Sequence, residues 1–200
     1  MKKFIPLVLF IAAVSLYGCG KQDETAPTIS MNGKNPDTLI VKTATSYNDA
    51  GCTAQDDVDG NITANIIVAT NINVNIPNRY LIFYTAEDKA GNISEKLTRT
   101  VEVIKPDATY NATSTCTGSS SNSVTITSFS NNDSITINNF YSSGTVMKAG
   151  LNNYKYQIVP VTFLGITVNG EIAANGTTLN GNLSLTGSIT GPCTFTFTRN

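Results

Sequence analysis

The sequence predicts an all-β fold in two domains, a β-sandwich followed by an antiparallel meander that closes into a small barrel. Three observations predict it. The apolar residues are largely Ile, Val, Tyr and Phe, which favour pleated, half-buried surfaces. Apolar and polar residues alternate with the period of a strand, and no stretch keeps helical apolar spacing over three turns. Turn chemistry recurs between the alternating runs, as Asp-Gly, Gly-Asn, Asn-Asn and Asn-Gly.

Composition narrows the function classes. With 13 basic and 14 acidic residues, the chain has no net field to draw it to nucleic acid or an anionic surface. Charged residues are only 14% against 40% hydrophobic, and Asn, Thr, Ser and Gly fill the gap, solvating a surface without charge. There is no His and no Trp.

The N-terminus carries the strongest targeting signal. Lys2 and Lys3 precede an apolar run from Phe4 to Leu16, which describes a secretory signal peptide over residues 1–18. The run is shorter than the roughly 20 apolar residues that span a bilayer. Leu16-Tyr17-Gly18-Cys19 resembles a bacterial lipobox, with Tyr17 bulkier than the usual residue there. The resemblance implies cleavage before Cys19 and acyl chains, palmitate among them, on that residue. Residues 19–25 are then a polar tether. Asp23 and Glu24 resemble the acidic cluster that directs lipoproteins of Bacteroidetes-type bacteria to the outer face of the outer membrane; a solvated linker is the other reading.

From Ala26 to Ile104 the strand candidates follow in order. Thr28 to Met31 and Thr38 to Val41 come first, with Pro27 and Pro36 blunting their ends. Ile62 to Val68 follows the turn Asp57-Val58-Asp59-Gly60. Arg79 to Thr85 sets Tyr80, Ile82 and Tyr84 against Leu81 and Phe83. Leu97 to Ile104 places Leu97, Val101 and Val103 on one face. About seven short strands with turns between them suggest a sandwich of the immunoglobulin type.

These motifs, in this order, are distinctive: Thr25-Ala26-Pro27-x-Ile29, Tyr47-x-Asp49-Ala50-Gly51, Ala54-x-Asp56-x-x-Asp59-Gly60-x-Ile62-Thr63, Tyr80-x-x-x-Tyr84-x-Ala86-x-Asp88-x-Ala90-Gly91-Asn92 and Arg99-x-Val101-x-Val103. The segment resembles the bacterial Ig-like domain named after a pesticidal crystal protein, which implies a spacer or adhesion module. Asn78 stands where that family has Gly, and both residue types tolerate a left-handed turn conformation. Cys52 stands where it has Ala, which suggests a buried, inert thiol.

Lys105-Pro106-Asp107 marks the boundary to a second domain, residues 105–200. Strand candidates there are 108–115, 123–129, 134–138, 144–148, 154–159, 161–172, 177–186 and 193–198. Sequential hairpins suggest a meander that removes its exposed edges by closing. Val124-Thr125-Ile126, Asp133 to Phe140, Thr178 to Leu183 and Cys193 to Arg199 resemble the calycin-like barrel that ends many Bacteroidetes lipoproteins. Cys116 and Cys193 lie near the two ends of this half and are expected to pair, the alternative being two buried thiols. A loop of that size stabilises by about 4 kcal/mol in the chain-entropy picture.

Candidate sites are few. Asp56, Asp57 and Asp59 in one loop, with Asp88 and Asn92 in another, lie at the same end of an immunoglobulin-type sandwich and can converge with Asp23 and Glu24. Calcium takes six to eight oxygens and is the one cofactor such a cluster suggests; the alternative is that each side chain holds its own turn. Phe140 and Tyr141, beside Ser142-Ser143-Gly144, can present a ring to a sugar or protein partner, or else belong to the barrel core. Asp37-Thr38-Leu39 and Asp133-Ser134-Ile135 resemble the Bacteroidetes O-glycosylation pattern at Thr38 and Ser134. Catalysis is not expected. Without His there is no ordinary base for a Ser or Cys nucleophile, and nothing pairs Asp133 with Glu171. The reading is a lipid-anchored envelope protein whose stalk presents a barrel to a glycan or protein, or one whose role is purely structural.

Overall fold

The computed structural model describes residues 22–116, 121–140, 144–188 and 190–200. The signal peptide, Cys19 and Tyr141 lie outside the described residues. Among those described, the first domain holds β1 (Thr28–Met31), β2 (Asp37–Ile40), β3 (Cys52–Asp56), β4 (Gly60–Asn61), β5 (Ile66–Thr70), β6 (Asn78–Ala86) and β7 (Leu97–Ile104). One sheet runs β1-β3-β4 and the other β2-β7-β6-β5, with β2 parallel to β7. Alternation decides the faces: Tyr80, Ile82 and Tyr84 of β6 and Val101 and Val103 of β7 are buried together with Val41 and Cys52.

The second domain holds β8 (Ala108–Ser114), β9 (Ser121–Phe129), β10 (Ser134–Phe140), β11 (Thr145–Asn152), β12 (Lys155–Ile158), β13 (Val161–Phe163), β14 (Ile166–Asn175), β15 (Thr178–Gly187) and β16 (Gly191–Arg199). They follow a meander whose ends meet. β16 pairs with β8 from Phe195↔Ser114 to Arg199↔Tyr110. β12 and β13 lie one after the other along the same edge of β14. An eight-stranded antiparallel barrel results. Inward alternation puts Tyr110, Val124, Ile126, Ile135, Ile137, Met147, Tyr156, Val168, Ile172, Leu179, Phe195 and Phe197 in one buried cluster. Each such apolar side chain contributes about 1.5–3 kcal/mol by burial. At Gly170 (φ +140°) a Cβ would stand 2.2 Å from the Asn182 carbonyl, so the close approach of β14 and β15 admits only glycine.

Three expectations need correction. The run Cys52–Asp56 is a strand that periodicity did not single out, because its inward positions are Cys52, Ala54 and Asp56, small or polar residues with weak strand preference. Ile62 to Val68 is not one strand. Asn61 Oδ1 accepts the Thr63 N–H at 3.0 Å, turning residues Thr63–Asn65 into a 3-10 turn before β5 begins. The run 161–172 is a hairpin, since Leu164 (φ 48°) and Gly165 (φ 74°) turn it in the left-handed region. Asn78, moreover, is in extended β6, where its Oδ1 accepts the Arg79 N–H at 2.8 Å.

The domains are joined firmly. Only Lys105, Pro106 and Asp107 separate β7 from β8. Arg199 donates to the Lys105 carbonyl at 2.8 Å and the Asp107 carbonyl at 3.0 Å. Tyr110 donates its hydroxyl to the Pro106 carbonyl at 2.9 Å, and Asp107 accepts the Ser128 N–H at 2.9 Å. Ile40, although it belongs to β2, is fully buried in the barrel's apolar cluster. Lys42 pairs with Asp133 at 2.6 Å across the junction.

Candidate functional site

The register of β6 and β7 separates the two ends of the sandwich. Asn78↔Val103 lies toward the barrel and Tyr84↔Leu97 away from it. The acidic loops follow Asp56 and Ala86 and therefore gather at the far end. Here the expected convergence is found, with a different membership. Carboxylate oxygens of Asp23, Asp56 and Asp88 lie within 4.8 Å of one another. Asp56 is 4% exposed; its Oδ1 accepts the Val58 and Asp59 N–H groups at 3.0 and 2.8 Å. Asp88 is also buried, and Asn92 gives it two hydrogen bonds of 2.8 Å, from the backbone N–H and from Nδ2. Asn92 Nδ2 donates as well to the Asp23 carbonyl at 3.2 Å, which draws the tether into the loops.

Asp57 and Asp59 stand outside this group. The Thr25 hydroxyl donates to Asp57 at 3.5 Å. Asp59 accepts both the N–H and the Nζ of Lys89 at 2.8 Å, and these bonds hold its carboxyl below the ordinary aspartate range. For Asp88, burial opposes ionisation, but the bonds from Asn92, Gly91 and Ala90 outweigh it and lower the carboxyl.

A buried charge network that sequence reasoning did not single out as a site lies between the sheets. Arg99 continues the inward alternation of β7 and is fully buried. Its Nε meets Asp49 Oδ1 at 3.0 Å and donates to the Tyr84 hydroxyl at 3.1 Å. Its Nη atoms donate to the carbonyls of Asn32, Lys34 and Gly51. The Tyr84 hydroxyl in turn donates to Asp49 at 2.8 Å. Burial, helped by the bond to Asp49, outweighs the lowering effect of the Arg99 bond and leaves the Tyr84 phenol pushed up to about 12. Tyr47 donates to Asp37 at 2.9 Å and is raised too, first by burial. The available signal was an arginine in register with Val101 and Val103, a position that alternation reserves for the core.

Other candidates separate cleanly. Cys116 and Cys193 form a disulfide with Cα atoms 5.1 Å apart, at the barrel end away from the sandwich. Cys52 is buried and free, and burial pushes its thiol up. Phe140 does not offer a ring to solvent. It is 1% exposed and packs inside the barrel on Phe195, ring centroids 4.7 Å apart, and edge-on to Phe163. The reason is parity: Asn139 (φ 61°) makes a bulge in β10 that returns Phe140 to the inner face. Thr38 and Ser134 are half-buried in strand ladders near the junction, Thr38 opposite Glu102 and Ser134 between Phe129 and Gly150.

Residues 29–103 match the family described as bacterial surface protein, Ig-like domain. The sandwich is an Ig-like domain. No curated protein matches the sequence. Among solved structures, the chain is similar to the lipoprotein BT2262 from Bacteroides thetaiotaomicron, with 17% identity, a TM-score of 0.33, and coverage of 86% of this chain and 98% of that one. It is also similar to the structure of CBM51-2 in complex with GlcNAc and INT domains from Clostridium perfringens ZmpB, with 14% identity, a TM-score of 0.31 and 86% of this chain covered. Of that second chain only 43% is covered.

The chain enters the Ig-like domain at the acidic loops and leaves it at the opposite end, directly into the barrel. β7 alone spans eight residues, roughly 26 Å of extended chain. The barrel end nearest the Ig-like domain carries the turns around Asn132, Asn153 and Gly176. Its other end carries the disulfide and the Leu164-Gly165 turn.

Proposed function

We propose that this surface protein is held to a bacterial outer membrane by acyl chains on Cys19, and that the Ig-like domain is a stiff spacer lifting the barrel away from the lipid. The single observation that carries the reading is the opposite placement of tether and barrel on the Ig-like domain, with a junction clamped by Arg199, Tyr110 and Asp107. A spacer needs its two attachments at opposite ends and little bending between them. The lipobox resemblance and the acidic pair Asp23 and Glu24 support the anchor and its outward facing. In this reading the barrel's free end meets a glycan or a protein outside the cell, and the role is adhesive rather than catalytic.

Shaving intact cells with protease tests the orientation. Loss of the barrel from intact cells is the expected result, and protection until the cells are lysed counts against it. Cys19→Ala is expected to move the protein from the membrane fraction to the soluble fraction; retention in the membrane would remove the anchor.

A further inference from the structure

The acidic end of the Ig-like domain contains an oxygen with nothing to bond. Asp56 is 4% exposed, and its Oδ2 is buried with no hydrogen-bond partner among the described residues. A buried carboxylate oxygen left unsatisfied costs more than an ordinary missing hydrogen bond, so the site is built for something that supplies positive charge. No neighbouring described group bonds to that oxygen. Asp23 and Asp88 add two further carboxylates within 4.8 Å. Lys89, the nearby cation, gives its ammonium to Asp59 at 2.8 Å. Among the described residues, none of the three clustered carboxylates forms an ion pair.

We propose that Asp23, Asp56 and Asp88 bind one calcium ion, and that the ion fastens the tether to the base of the Ig-like domain. The donor set is oxygen alone, which selects a hard cation over zinc or copper. Size selects among hard cations. Oxygens on opposite sides of calcium stand about 4.6–5.2 Å apart, against about 4.0–4.2 Å for magnesium. Three oxygens that all lie within 4.8 Å of one another fall inside the span of the larger ion's shell, with water completing it. The supporting bonds are in place before the ion arrives. Two backbone N–H groups fix Asp56 through Oδ1 and leave Oδ2 free, while Asn92 orients Asp88 and holds Asp23 by its carbonyl. Because Asp23 belongs to the tether and the other two to the domain, binding orders the entry of the chain.

Calorimetric titration of the full acylated chain in detergent, with calcium chloride and then magnesium chloride, tests this. The expected result is one calcium per chain, with a dissociation constant on the order of 10⁻⁴–10⁻³ M as in other extracellular calcium modules. Magnesium is expected to bind more weakly. Calcium should also raise the melting temperature of the Ig-like domain, reversibly with chelator, and protect the tether from protease. Asp56→Asn retains the Oδ1 acceptor that holds the turn and is expected to lose at least about tenfold in affinity, about 1.4 kcal/mol. Glu24→Gln, which removes a neighbouring charge outside the cluster, should leave binding nearly unchanged. Absence of calcium heat and of any melting shift overturns the proposal. So does an Asp56→Asn protein that binds as well as wild type, or a Glu24→Gln protein that loses as much.

Discussion

At full depth in the Ig-like domain sits an arginine; at full depth in the barrel sits a phenylalanine. Arg99 and Phe197 are equally inaccessible, and each lies on a long strand in an inward-facing position. The difference traces to the backbone around them. Sheet β1-β3-β4 is made of strands of two to five residues, and the carbonyls of Asn32, Lys34 and Gly51 beside it have turned inward. Buried carbonyls need donors, and a guanidinium brings five N–H groups in a planar fork. Strands β14, β15 and β16 have nine or ten residues each and the barrel closes, so its ladders satisfy their own polar groups and the interior can be apolar. Short, interrupted ladders thus demand a buried cation where closed ladders do not.

The comparison can be broken most directly at Arg99. Arg99→Met removes the cation beside Asp49 and the guanidinium bonds to three carbonyls, and is expected to destabilise the Ig-like domain by about 3–5 kcal/mol while the barrel keeps its own transition. Denaturant unfolding followed by circular dichroism reads both. A loss below about 1 kcal/mol would mean that water replaces the guanidinium and the network is not structural.

Removing the disulfide is the matching experiment in the barrel. Cys116→Ser with Cys193→Ser is expected to lower barrel stability by about 2–4 kcal/mol and to spare the Ig-like domain. If both domains weaken together, they unfold as one unit and the comparison must be redrawn.

A smaller effect is expected at the junction. Arg199→Ala frees the Lys105 and Asp107 carbonyls to water and should lower stability by about 1 kcal/mol. Small-angle scattering should then report a wider spread of interdomain angles, and an unchanged profile would assign the stiffness to Ile40 packing instead.

The smallest effect is electrostatic. Asp59 and Asp88 have carboxyls lowered from the ordinary value of 3.8, so they bind protons less readily folded than unfolded. Their contribution to stability is complete above that value and fades as pH falls through the lowered values. Carbon-detected NMR titration should place both midpoints below 3.8, and midpoints at or above it would contradict the geometry described here.

Much of this architecture was legible in the residues. The alternation of Tyr80, Ile82 and Tyr84, the Asn-Gly turn at Gly176 and the paired Cys116 and Cys193 each predicted what the fold contains, because each is a local pattern with one inexpensive solution. Expectations failed where local signals were ambiguous. Cys52–Asp56 lacked β-branched residues, Leu164-Gly165 is a poor turn word, and the bulge at Asn139 reversed the facing of Phe140.

The amino-acid sequence by itself determined the class of fold, the domain order, the disulfide and the end at which the acidic loops gather, since strand period and turn chemistry act over a few residues. Only the tertiary structure decided which acids meet. Asp57 and Asp59 were candidates equal to Asp56, yet Thr25 and Lys89 claim them, and Asp23 takes their place. It also decided that Arg99 is a core residue bonded across gaps of 48 to 67 residues. Such partners are chosen by three-dimensional proximity and by the need of buried polar atoms for company, neither of which is written in any short stretch of chain.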